Sequence, residues 1–168
     1  SHPYGRRNAR NAENLKGQAT QYTRDTLTRS TTVKLEPETK KNMLQKILLD
    51  SEEALEVLSK SLTSYEDEEL TPLLGTKALW ELYNGGLLYR LHELSGNKEY
   101  LRKAIEAFQR SIETYQRTEL TSRLAECFWK IAQTYGALDE HMKASDNFDH
   151  ASNTYRSAAE KIPQRKDF

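Results

Sequence analysis

Three segments of this chain carry the same pattern on one helical face. Ala54, Leu58, Ser61 and Tyr65 follow one another at steps of four, three and four. Ala104, Phe108, Ser111 and Tyr115 repeat those steps, as do Ala144, Phe148, Ala151 and Tyr155. Such steps align four side chains along one side of an α-helix. The order is small, large apolar, small, aromatic. Small residues let a neighbouring helix approach closely, and large ones fill the space beside it. The first two segments are offset by 50 residues and the last two by 40. A period of roughly 20–50 residues built of helices is the mark of a helical solenoid, in which each unit buries its apolar face against the next.

Composition agrees with an all-α chain. Leu is abundant, whereas there are two Val and five Ile. Strands favour β-branched residues and helices tolerate Leu well. Helix boundaries follow from capping signals. Pro37 suits a first turn, and the stripe Leu44, Ile47, Ser51, Leu55, Leu58, Leu62, Tyr65 predicts a helix over 37–66. Thr71-Pro72 reads as a cap and first helical residue, opening a helix that Gly96 closes in a left-handed conformation. Gly85 and Gly86 lie inside it, as a local kink or as a place where another helix packs too closely for a side chain. Asn97 caps a helix to about Gln116, and a fourth runs over 122–137. Asp139 is the expected N-cap of a fifth, over 140–161.

Zero net charge hides an uneven distribution. Residues 1–35 hold seven Lys/Arg against Glu13 and Asp25, a balance of +5. Residues 36–69 hold ten acids against four lysines, a balance of −6. The expected organisation is a basic polar arm over 1–35, a helical-repeat domain over 36–163 and a frayed tail over 164–168. The arm carries one amphipathic stripe: Ala12, Leu15, Ala19, Tyr22. Its opening Ser1-His2 reads as an expression scar, and the chain as a fragment of a larger protein.

The stretch 125–161 resembles a tetratricopeptide repeat. Phe128, Ile131, Ala132 and Tyr135 match the aromatic, aliphatic, small, aromatic pattern of the family's first helix. Ala144, Phe148 and Ala151 match the second helix at the family's separation. Ala132 stands for the usual Gly and Phe128 for the usual Trp, and the second helix runs on past the standard 34-residue unit. The repeat over 78–117 is more degenerate. Gly86-Leu87-Leu88-Tyr89 resembles the Gly-x-x-Tyr element with six extra residues before Ala104, whereas a 40-residue offset aligns Leu88 and Tyr89 with Ile131 and Ala132. The helix at 37–66 looks like a second helix without a first. The resemblance covers about 37–161 and implies an antiparallel helix-pair solenoid with right-handed superhelical twist. The long-helix units resemble the vesicle-fusion adaptor and regulatory branches of that superfamily.

No chemistry-bearing constellation stands out. Asp146 and His150 lie four apart on one helix, but a metal site needs three or four converging ligands. Cys127 sits in an apolar stretch as a lone, inert thiol, which excludes an internal disulfide. No phosphate loop, nucleophile motif or paired-carboxylate pattern occurs, so neither enzymatic activity nor a cofactor is expected. No apolar run is long enough to span a bilayer and no leader is visible, which suggests a cytoplasmic protein.

A binding role remains. In the family that the chain resembles, first helices line the concave face. That resemblance points Glu126, Trp129 and Gln133 into the groove and, in the Gly86 register, Trp80, Tyr83 and Arg90. An aromatic beside charged residues suits a peptide anchor; the bland reading is that Trp80 and Trp129 simply pack between helices. The family's lysine-and-asparagine clamp for acidic tails is not seen at these positions. The expected partner is a protein or peptide, in an adaptor or scaffold role. Self-assembly, or regulation of a larger enzyme or signalling protein, is the alternative. Contact of the basic arm with nucleic acid or an anionic surface is a minor one.

Overall fold

The computed structural model describes residues 35–162. The basic arm, its stripe at 12–22 and the tail after Pro163 lie outside the described residues. Within them the chain forms five α-helices. They are α1 (Pro37–Ser61), α2 (Asp67–Ser95), α3 (Glu99–Tyr115), α4 (Thr121–Ala137) and α5 (His141–Glu160). Each packs chiefly against its chain neighbours, so they form a linear array of antiparallel pairs, an all-α solenoid.

The small positions of the repeated face are buried in all three copies: Ala54 and Ser61 on α1, Ala104 and Ser111 on α3, Ala144 and Ala151 on α5. The aromatic position is not. Tyr115 is 1% exposed, whereas Tyr155 is 43% exposed. α3 has helices on both sides, while α5 is the last described helix. Repeated small residues thus mark the helix contacts, and position in the array decides how much of the code is covered.

The main core joins four helices. Leu44, Ile47 and Leu48 of α1 meet Leu87, Leu88 and Leu91 of α2, Phe108 and Ile112 of α3, and Cys127 and Ile131 of α4. A second cluster gathers Ala54, Leu58 and Leu62 against Leu74 and Trp80. α2 has apolar residues around most of its circumference and packs against both α1 and α3. Gln45 Nε2 donates to Tyr100 Oη at 2.7 Å, tying α1 to α3.

Four boundaries differ from the sequence expectation. α1 ends at Ser61 rather than 66, and Leu62–Ser64 form a 3₁₀ turn before Tyr65 becomes extended. Hydroxyls of Ser59, Ser61 and Thr63 bond to carbonyls three or four residues back, a pattern that weakens a helix end. α2 starts at Asp67, so Pro72 lies inside it and Thr71 is not its cap. The acidic run 66–69 supplies the N-cap and first turn, where acidic residue types are favoured, and the proline removes a single ladder bond. Asp139 is not an N-cap either. It takes φ = 61°, turning the chain between α4 and α5, and Glu140 holds the cap position. Asp tolerates this left-handed region better than most side chains. One boundary holds: Gly96 closes α2 at φ = 70°. At the start of α3 the N-cap position falls to Lys98 rather than Asn97, although the Asn97 side chain still accepts the Glu99 N–H at 3.0 Å.

The two central glycines have different reasons. A Cβ on Gly85 would overlap the ring of Phe108. The close-packing explanation therefore holds at Gly85. Among the described residues, a Cβ on Gly86 would meet nothing within 4 Å. Gly costs about 1 kcal/mol against Ala inside a helix. Gly86→Ala should therefore stabilise the chain by up to about 1 kcal/mol. Gly85→Ala should lose more than it gains, since overpacking costs about 1–3 kcal/mol. Urea denaturation of both variants checks the opposite signs; equal shifts would contradict the packing at Gly85.

Candidate binding groove

Three buried polar side chains join α1 to α2. Trp80 Nε1–H donates to Ser51 Oγ, and Ser51 Oγ–H donates to Asn84 Oδ1 at 2.6 Å. Trp80 is only 1% exposed, so its indole N–H needs a protein partner. A second set joins α2 to α3. Thr114 Oγ1–H donates to Glu81 Oε1 at 2.7 Å, and Lys77 Nζ lies 3.2 Å from the same oxygen. Glu81 is 2% exposed, a burial that a carboxylate tolerates only when paired. Sequence reasoning missed Ser51, Asn84, Glu81 and Thr114 as polar anchors. The only available signal was the four-residue step from Lys77 to Glu81 on one helix.

These anchors fix the registers of α1, α2 and α3 around a groove of about 580 Å³. Leu44, Ile47 and Ser51 of α1 form one wall. Trp80, Tyr83, Gly86 and Arg90 of α2 line the middle, with Phe108 of α3 reaching in beneath. Glu126, Lys130 and Gln133 of α4 form the far wall. Trp80 is a floor residue, whereas Tyr83 is 40% exposed and stands on the surface. Charges of both signs border the groove. Arg90 Nη1 lies 3.7 Å from Glu93 Oε1, and Glu126 Oε2 accepts from Arg123 Nη1 at 3.0 Å. That bond to the Glu126 carboxylate raises the Arg123 guanidinium further above its ordinary value.

Five of the six residues singled out from the sequence therefore surround one cavity: Trp80, Tyr83, Arg90, Glu126 and Gln133. Trp129 does not line it. Its ring meets Phe148 of α5 edge-on, with centroids 4.9 Å apart, and it remains 44% exposed. α4 turns Glu126, Lys130 and Gln133 into the groove, and Trp129 points towards α5. Asp146 and His150 both lie on the exposed surface of α5, where the His150 ring rests 5.4 Å from that of Phe128. Among the described residues, no three His, Cys, Asp or Glu side chains are grouped to hold a metal ion. No described helix is long and apolar enough to cross a membrane.

Cys127 is fully buried behind the groove, with Sγ 3.3 Å from Ser111 Oγ. Ser111 also donates to the Ala78 carbonyl at 2.7 Å. Burial pushes the Cys127 thiol up to about 11, and raises the Tyr115 hydroxyl as well. Such a thiol is a poor nucleophile at neutral pH.

No protein-family model matches this chain, and no curated protein matches it. Among solved structures, the de novo designed helical repeat protein DHR64 superposes with a TM-score of 0.54 at 18% identity, covering 93% of this chain and 70% of that one. The DHF58 filament aligns at 16% identity over 94% of this chain and 95% of that one, with a TM-score of 0.43. MamA MSR-1 C2 aligns at 13% identity over 84% and 98%, with a TM-score of 0.23. The two lower scores carry no argument. The likeness to DHR64 concerns the fold alone: an all-α helical repeat.

Two outcomes follow from the buried groups. Ser51→Ala leaves the Trp80 N–H and one Asn84 oxygen without their partner, at a cost of about 1–3 kcal/mol; chemical denaturation measures it, and an unchanged midpoint would contradict the network. The folded Cys127 keeps its proton above the pH at which the unfolded thiol releases it. Its contribution is complete below pH 9.0 and is lost as pH rises towards about 11. Melting temperature should fall across that interval, and less steeply in Cys127→Ala.

Proposed function

We propose that this chain is a non-catalytic protein-recognition module that seats a peptide or helical segment of a partner in the groove between α1, α2 and α4. One observation carries the reading. Trp80, Tyr83, Arg90, Glu126 and Gln133, drawn from two helices that are not neighbours in the chain, converge on one apolar cavity bordered by charges of both signs. Aromatic anchors with a polar border are the usual make-up of an interface hot spot. The tetratricopeptide-like matches on α4 and α5 favour the same reading, since such solenoids bind extended or helical segments along a continuous surface. Trp129 belongs to the proposed contact surface as a neighbour of the groove, where its exposed edge can extend a contact towards α5.

Self-assembly is the second reading. Leu49 and Val57 on α1, and Met142 and Tyr155 on α5, are exposed apolar side chains at the two ends of the described array. Stacking through array ends would cover them.

A displayed library of helical and extended peptides tests the first reading. Selected binders should lose at least roughly tenfold in affinity on Tyr83→Ala, because 1.4 kcal/mol is one decade and a truncated aromatic anchor commonly costs about 2 kcal/mol. Tyr83 is already largely exposed, so circular dichroism should be unchanged. Binders indifferent to both Tyr83→Ala and Arg90→Ala would place recognition elsewhere. Concentration-dependent mass in sedimentation, lost on Leu49→Glu, would favour assembly instead.

A further inference from the structure

The charges that border the groove differ in what already holds them. Glu93 and Arg90 line it from α2, and Glu126 and Lys130 line it from α4. Both carboxylates are engaged. Glu126 Oε2 accepts from Arg123 Nη1 at 3.0 Å, and Arg123 stands outside the lining, so the Glu126 charge is met from behind. Glu93 Oε1 lies 3.7 Å from Arg90 Nη1. Lys130 is exposed, and among the described residues its Nζ has neither a hydrogen-bond nor an ion-pair partner. Three cations thus stand against two carboxylates at this border, and the cation in excess is Lys130.

α3 fixes where Lys130 lies along the groove. Ser111 Oγ–H donates to the Ala78 carbonyl on one side and meets Cys127 Sγ on the other. α2 and α4 each run antiparallel to α3, so they run parallel to one another. Lys130, three residues beyond Cys127, therefore comes within about one turn of Tyr83. Between them lies an apolar floor that includes Ile47, Leu87 and Phe108.

We infer that the groove selects a partner segment carrying an acidic side chain among large apolar ones, with the carboxylate received by Lys130 and the apolar neighbours seated on the floor beside Tyr83. This rests on the reading of the groove as a peptide site and names the chemistry of its occupant. Charge complementarity carries it. A basic side chain would meet Lys130 as a like charge, and would reach Glu126 only by displacing Arg123. A neutral segment would cover Lys130 and remove its water without replacing it, which is costly for a charge. A carboxylate replaces that water, in a site where exclusion of solvent strengthens the pair beyond its worth on an open surface. A side-chain carboxylate fits better than a chain terminus, because the α4 lining continues past Lys130 in both directions, to Glu126 and to Gln133.

The full chain can be screened against a displayed library of helical and extended peptides, in parallel with its Lys130→Gln, Lys130→Arg and Lys130→Glu variants. Peptides whose binding depends on Tyr83 should be enriched in Asp or Glu among apolar residues. Their affinity should fall as sodium chloride is raised. Lys130→Gln should weaken them at least roughly tenfold, the lower end of what a charged hydrogen bond contributes. Lys130→Arg should retain them. Lys130→Glu should reject them and select Lys or Arg in their place. Amidation of the peptide C-terminus should change nothing. Circular dichroism of all three variants should match the parent, since the Lys130 side chain is exposed. Tyr83-dependent peptides with no acidic preference, or with equal affinity for the Lys130→Gln chain, overturn the inference and leave the groove reading standing. Loss of binding on amidation also overturns it, by placing a chain terminus at Lys130. If every selected peptide is indifferent to Tyr83→Ala and Arg90→Ala, the groove reading and the inference fall together.

Discussion

The contact between Gly85 and Phe108 sets the spacing on which the rest of the array depends. The Phe108 ring lies where a Cβ at Gly85 would be, so α2 and α3 approach more closely than two ordinary side-chain surfaces permit. That approach brings Ser111 within reach of the Ala78 carbonyl and Thr114 within reach of Glu81. Ser111 in turn meets Cys127, so the same contact positions α4. One missing side chain thus propagates through three helices. Close-packed interiors transmit displacement in this way because they contain few voids that could absorb it.

The buried polar groups have a different role from the apolar core. Leucine faces can slide past one another at little cost in area. The Trp80–Ser51–Asn84 set and the Lys77–Glu81–Thr114 set cannot, because each donor and acceptor has a partner at only one register. They select one arrangement of α1, α2 and α3 from several with similar apolar burial. The groove is a product of that choice. Its α1 wall, its α2 centre and its α4 wall come from helices whose relative heights the polar sets and the Gly85 contact hold constant.

The helix class, the five helices of the described residues and the small positions at their contacts were legible in the chain. Ala54, Ala104 and Ala144 could be read as buried because spacing of four, three and four has a direct geometric meaning in a helix. Helix ends were less legible. Pro72 and Asp139 are local signals with more than one structural solution: a proline can sit at a first turn or inside a helix, and an aspartate can cap or turn left-handed. The packing of flanking segments chose between them.

The sequence by itself determined that this chain forms paired helices with close contacts at fixed small residues, since periodicity and residue size act within a few turns of chain. It also marked Tyr83, Arg90, Glu126 and Gln133 as residues worth locating, although that came through a family resemblance rather than through spacing. Only the tertiary structure decided that these four share a cavity while Trp129 leans against Phe148. It alone distinguished Gly85 from Gly86, two adjacent residues of identical local character. The reason is that helical periodicity gives each side chain a direction about its own axis. The object lying in that direction is set by the distance and register of another helix, which contacts distant in sequence control.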